Sequence, residues 1–294
     1  MTPSQATARR TAWYGPVMVL VGGACIGFAP IGLRLGLGDL GPQAIAFWRF
    51  VFAAPLLFFL VLIVERRRPA KPNRFIIIGG ICFALDIALW HWALTFTTVA
   101  NSTFIVNLGN IGVGLVAWIF LKERPTPVWL LAVLIAMCGA AALSLGGGAD
   151  GKSDLRGDTL ALGAAILVSC YMVASKVARR TLSGLEAIFW LTVVEVCVAA
   201  LMVIVFEEPF LPSTISGFFA PLFLALVVQI AGQGLIVTGL GHTPAAIAGV
   251  LVLIQPVVAA AISWRLFDEP LAPLQLGGGA LILLGIFVSQ RGVR

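Results

Sequence analysis

The chain has 294 residues, 60% of them hydrophobic and only 11% charged, with a mean hydropathy of +1.04. This balance excludes an ordinary water-soluble domain and marks a membrane protein. The net charge of +6 reads as a topology signal, not a nucleic-acid footprint, because of where the basic residues fall.

A helix needs about twenty mainly apolar residues to cross the hydrocarbon core. Ten such runs follow one another, at about 14–37, 43–64, 74–97, 101–121, 128–145, 157–178, 184–206, 216–240, 244–266 and 273–290. The expected fold is therefore an all-α polytopic membrane protein. A barrel is excluded, since lipid-facing strands would alternate polar and apolar residues. The connections are too short for a soluble domain of the usual ~100 residues, so any activity must live among the helices.

The first run follows Arg9 and Arg10. It is longer than a signal-peptide core and lacks a small-x-small cleavage site, so it reads as a retained span; Pro30 near its end is a candidate flex point. The second contains Phe-Trp-Arg-Phe (47–50) and Pro55. Arg49 can snorkel toward the interface or hold a structural pair, and Pro55 fits a static kink.

The third run carries Ala-Leu-Asp-Ile-Ala-Leu-Trp-His-Trp-Ala-Leu (84–94). An acid within a span costs at least about 2.5 kcal/mol on insertion scales, so it calls for an explanation. Asp86 and Trp90 share a helix face, and His91 turns to the neighbouring one. If this surface lines a cavity, Trp90 or Trp92 gives a flat wall, His91 a titratable hydrogen-bonding group and Asp86 an attraction for an ammonium. Packing and bonds to adjacent helices are the competing roles.

In the fourth run Phe104, Asn107 and Asn110 form one stripe, while Asn101 suits the helix start. Carboxamides can hold a polar substrate or link helices. The later runs offer the facing wall: Ser169, Tyr171 and Ser175 in the sixth, Gln229 and Gln233 one turn apart in the eighth, and Gln255 before Pro256, a second flex point, in the ninth. Glu195 in the seventh lies one turn from the position equivalent to Arg49, and a direct pair between them is one arrangement the sequence allows. Glu123 and Glu269 fall at helix ends, each with a proline soon after. There a positive helix dipole favours them as structural or gating acids.

Numbering the helix ends alternately puts most of the arginines and lysines on the side of the N-terminus, Arg66–Arg68 and Arg179–Arg180 included. Both termini are therefore expected in the cytoplasm. Trp118, Glu123, Pro127 and Gly139 recur as Trp264, Glu269, Pro273 and Gly285 at one constant offset (264 − 118 = 146), and Phe47-Trp48 recurs as Phe189-Trp190 (189 − 47 = 142). The chain thus divides into two five-helix halves, 1–148 and 157–294, joined by a polar linker at 149–156. An odd number of helices per half inverts the second half, the plan of a carrier with a midplane site between its halves.

Phe-Leu-Lys-Glu-Arg-Pro-Thr-Pro (120–127), Phe-Asp-Glu-Pro-Leu-Ala-Pro (267–273) and Phe-Trp-Arg-Phe (47–50) resemble the paired EamA-type repeats of the drug/metabolite transporter superfamily. The length and the tryptophan-rich third helix are most similar to bacterial YddG-type exporters of aromatic amino acids. The resemblance implies a ten-helix basket in the bacterial inner membrane that exports amino acids or related metabolites by alternating access. A proton-coupled exporter of drugs or other metabolites is the second expectation.

An enzyme is not expected. The chain has only two histidines, and neither a metal-binding nor a phosphate-cradling motif is present. The five cysteines all fall within spans without Cys-x-x-Cys spacing, as packing residues do. No cofactor or metal is implied. The expected partners are a small-molecule substrate and the bilayer, not nucleic acid; the oligomeric state is open, and a monomer is compatible with the plan.

Overall fold

The computed structural model describes residues 3–97, 99–146, 154–268 and 270–291. Among these residues ten helices are long and apolar enough to cross a membrane: α1 Trp13–Gly36, α2 Pro42–Glu65, α3 Arg74–Ala93, α4 Asn101–Leu121, α5 Pro127–Leu145, α6 Leu155–Ala178, α7 Gly184–Val205, α8 Ile215–Leu240, α9 Ala245–Phe267 and α10 Pro273–Gln290. Among the described residues there is no strand.

Helix starts follow the local chemistry. The Asn73 carboxamide oxygen accepts from the backbone N–H groups of Phe75 and Ile76 at 3.0 and 3.1 Å, and Ser183 with Glu186 forms a reciprocal capping box at the head of α7, which satisfies donors that a helix start leaves free. Asp154 does the same for α6. That helix takes up the last two residues of the stretch expected as linker; 149–153 lie outside the described residues.

Two spans are broken. The helix of α1 stops at Ile26 and resumes at Ala29, just before Pro30, and that of α9 stops at Val252 and resumes at Ile254, two residues before Pro256. Proline has no N–H to donate and its ring clashes one turn back, which accounts for both breaks. They pack against each other. A Cβ on Gly27 would lie 2.7 Å from Val258 and 2.9 Å from the Gln255 carbonyl oxygen, so the crossing needs glycine. A third irregularity is the π-helical stretch Leu224–Gln233 inside α8, a form that tends to mark functional positions.

The inverted repeat is visible in the backbone. The residue after α4 is Lys122 (φ 61°) and the residue after α9 is Asp268 (φ 52°), both left-handed and 268 − 122 = 146 residues apart. Likewise Arg66 and Glu207, each at φ 53°, follow α2 and α7. Along α5 and α10 the contact maps onto itself when the halves are exchanged. Gly139 packs on Gly278 and Ile282, and Gly285 packs on Ala132 and Ala136, with 285 − 139 = 278 − 132 = 146. Caps are exchanged too: Glu65 accepts from the Ser183 hydroxyl at the head of α7, and Glu208 accepts from the Ala44 N–H near the head of α2 at 2.8 Å.

Burial pushes the Glu208 carboxyl above its ordinary range despite its backbone hydrogen bonds. A raised acid favours the folded state while protonated, so its contribution is complete below the unfolded carboxylate value of about 4.3 and is lost as pH rises through the folded one. Melting curves in detergent should show wild type losing less than about 1 kcal/mol of stability between acidic and neutral pH through this half-buried group. The Glu208→Gln variant should lack that component, and an identical pH slope in both proteins would rule it out.

Candidate functional site

A cavity lies between the halves. Its wall is built from Pro30 and Leu33 on α1, Ile45 and Arg49 on α2, Phe83, Asp86, Trp90 and His91 on α3, Thr103, Asn107 and Asn110 on α4, Val168 on α6, Gln233 on α8, and Gln255 and Pro256 on α9. Helices α1, α3 and α9 run away from the N-terminal side and contribute residues from their middle and later turns. Helices α2 and α4 run toward it and contribute early ones. The cavity therefore occupies the part of the bundle remote from the termini.

The opposite side is closed by bonds between the halves. Glu123 accepts from the Ala245 N–H at 2.9 Å and pairs with the Lys176 ammonium at 2.9 Å, which also donates to the Thr243 carbonyl at 2.6 Å. Glu123 does meet a positive helix end, as its position suggests, but the helix is α9 of the other half and not the α5 that follows it. Trp129 adds an indole N–H to the Ala246 carbonyl at 2.8 Å. Glu269 lies outside the described residues; close to it in sequence, the Arg34 guanidinium sits 4.0 Å over the Phe267 ring.

The densest polar chemistry starts at Arg49. Buried to 6% exposure, it donates from Nε and Nη2 to the Gln229 side-chain oxygen at 3.2 and 2.7 Å. The Gln229 amide nitrogen donates onward to Glu195 Oε2 at 2.7 Å and to the Thr192 hydroxyl at 2.8 Å. Both ends of the carboxamide are thus fully used, and its orientation is fixed: oxygen to the cation, nitrogen to the acid. A relay replaces the direct Arg49 to Glu195 pair that the sequence allows. The other Glu195 oxygen, Oε1, is buried without a hydrogen-bond partner. In parallel, the Tyr171 hydroxyl donates to the Gln233 oxygen at 2.9 Å, so Gln229 and Gln233, one turn apart on the π-helical stretch of α8, meet α2, α7 and α6 together.

On α3 the Trp90 and His91 rings lie 5.3 Å apart and both face the cavity with Asp86. His91 Nδ1 is buried and unpartnered. The asparagines of α4 are tied along their own helix: Asn110 donates to Asn107 at 3.1 Å and Asn107 to the Thr103 carbonyl at 2.9 Å.

The structure does not bring every expected residue to the wall. Phe104 packs into the apolar core beside the stripe of asparagines and not on the cavity. Gln229, Tyr171 and Glu195 stand behind the wall. Trp92 faces outward at 41% exposure, edge-on to Phe206 at 5.5 Å, so the flat wall is Trp90. Conversely, Arg49, read from the sequence as structural, lines the cavity, as does Thr103. The signal for Arg49 was its place well inside a span, where a cation needs partners.

Among the described residues no group of three histidines, cysteines or acids could hold a metal ion, and the cavity wall carries no serine, cysteine or lysine. What it offers is one guanidinium, one carboxyl, four carboxamides, a threonine hydroxyl and an imidazole on an otherwise apolar surface faced by an indole. Such a surface binds and orients a small polar molecule.

Known proteins resemble this chain throughout. The uncharacterized transporter YetK of Bacillus subtilis is 25% identical, covering 92% of this chain and 82% of its own. A probable terminal-alkyne amino-acid exporter of Streptantibioticus cattleyicolor is 25% identical, covering 88% and 87%. A crystal structure superposes with a TM-score of 0.78 at 19% identity, over 96% of this chain and 98% of the other, which speaks for the fold alone. Both halves, residues 13–145 and 155–290, match the profile of the EamA-like transporter family, and the chain is a membrane transporter of that family.

Proposed function

We propose that the protein carries zwitterionic amino acids, aromatic ones foremost, out of the bacterial cytoplasm by alternating access. One observation carries the reading: Arg49 and Asp86 line the same cavity beside the Trp90 indole. The guanidinium suits a carboxylate, the carboxyl suits an α-ammonium, and the indole suits an aromatic side chain. Asn107, Asn110, Gln233, Gln255 and His91 supply hydrogen bonds that add no charge. The amino-acid exporter among the relatives supports the substrate class.

Export, as opposed to uptake, rests on the likeness to an exporter; orientation in the membrane rests on charge placement. Basic residues concentrate on the side of the termini, which the positive-inside rule assigns to the cytoplasm. With that assignment the cavity opens outward and the seal of Glu123, Lys176 and Trp129 is the cytoplasmic gate. Gly27 and the breaks at Pro30 and Pro256 form the flexing crossing on the cavity side. Residues 1–148 and 157–294 act as the two rocking bodies.

The test is flux in liposomes holding purified protein, with labelled tryptophan, phenylalanine, threonine, a nucleoside and a cationic dye, with and without a pH gradient. Saturable flux of the aromatic amino acids, indifferent to the gradient, is expected. Flux of the dye alone would instead assign a proton-coupled drug carrier. In the same assay Trp90→Ala and His91→Ala should each weaken tryptophan binding about tenfold with unchanged folding. Unaltered affinity in both would remove α3 from the site.

A further inference from the structure

Behind the cavity lie charges that the binding reading leaves unused. Arg49 is within electrostatic reach of Glu195, Tyr171 and Asp86, so one fixed cation faces two acids in a site enclosed by helices. The other titratable groups near the acids are Cys82 and His91 on α3 and Tyr171 on α6, with Cys170 of α6 beside Cys82; only the guanidinium carries a permanent charge. A buried net charge is strongly disfavoured in a membrane interior. Neutrality therefore requires that one of the two acids hold a proton. The relay shows which acid serves Arg49, because the fixed Gln229 carboxamide joins the guanidinium to Glu195 Oε2.

Resting on the amino-acid reading above, we propose that Asp86 and Glu195 share one proton, which changes place when the substrate binds. Without substrate, Arg49 is balanced by ionised Glu195 through Gln229, and Asp86 holds the proton. A bound amino acid brings its carboxylate to the three guanidinium N–H donors that Gln229 leaves unused, of five in all. Its ammonium meets Asp86. The O–H bond on Asp86 then breaks and one forms on Glu195 Oε1, the buried oxygen with no other partner. No proton enters or leaves the solution, so the site stays neutral loaded or unloaded and transport of a zwitterion draws on neither a pH gradient nor the membrane potential.

The deciding experiment is infrared difference spectroscopy of the reconstituted protein on adding tryptophan, with a pH indicator in the same sample. Wild type should lose one protonated-carboxyl band and gain another, with no net proton uptake or release. Labelling only aspartate with heavy carbon should shift the lost band, and labelling only glutamate the gained one, which assigns both without any variant. Glu195→Gln should still bind tryptophan and lack the gained band; should it fail to fold, the labelled wild type carries the test. Unmoved bands, or stoichiometric proton release into solution, would overturn the exchange. Absence of any saturable binding of the amino acids tested would instead sink the amino-acid reading itself, a result visible before any spectrum is taken.

Discussion

Arg49→Met will abolish amino-acid binding and transport. The guanidinium is the only cation on the cavity wall among the described residues, and removing one partner of a buried charge pair costs about 3–5 kcal/mol, a loss of a hundredfold or more in affinity. The same change leaves the Gln229 oxygen without its donors and Glu195 without its counter-charge, so thermal stability should fall as well. The two effects can be separated. Adding Glu195→Gln to Arg49→Met removes the stranded acid and should recover much of the stability but none of the transport. Arg49→Lys keeps the charge and loses the planar fork, and should fall between. Calorimetric binding and melting temperature together read this cycle; wild-type affinity in Arg49→Met would remove the guanidinium from the site.

Gly139→Leu and Gly285→Leu should each destabilise the bundle severely, and to a similar degree. A Cβ on Gly139 would lie 2.6 Å from the Gly278 carbonyl oxygen, and one on Gly285 would lie 2.7 Å from the Ala136 Cβ and 2.8 Å from the Ala132 carbonyl oxygen. Backbone and Cβ atoms cannot rotate away as a flexible side chain can, so α5 and α10 must separate. Overpacking of this kind costs about 1–3 kcal/mol and sometimes more. Equality of the two losses is the sharper expectation, because the glycines are images of each other under the two-fold that relates the halves. Gly277→Leu is the control: it shares α10 with Gly285, yet its added Cβ would meet nothing within 4 Å. Folded yield and unfolding temperature in detergent measure all three, and a tolerated Gly139→Leu would show that the close contact is not maintained.

Much of this architecture could be read from the chain. Hydropathy located all ten spans, because in lipid the backbone must satisfy itself and only long apolar helices do so. The repeat offset seen in Trp118 and Trp264 reappeared in the left-handed residues Lys122 and Asp268. Pro30 and Pro256 marked the two broken helices, since proline acts locally. What escaped the sequence depends on contacts between distant segments. Nothing around Arg49 names Gln229, 180 positions away, and a spacing rule that puts Phe104 in line with Asn107 cannot say on which side of that line the cavity begins. Glu123 was legible as an acid for a helix start, but the helix it serves comes from the other half. The π-helical turns of α8 were invisible as well, because one extra residue per turn leaves no mark in a span that is apolar on nearly every side.

Those turns give α8 a property its neighbours lack. In an α-helix each residue advances about 100° around the axis, so one residue accommodated by wider bonds is a stored rotation. Moving the widened turns along the span would pass that residue forward and turn the intervening face without lengthening the helix or breaking its backbone ladder. Since Gln229 and Gln233 sit on that face, α8 can act as a dial that swings the partners of Arg49 and Tyr171 while both of its ends stay anchored.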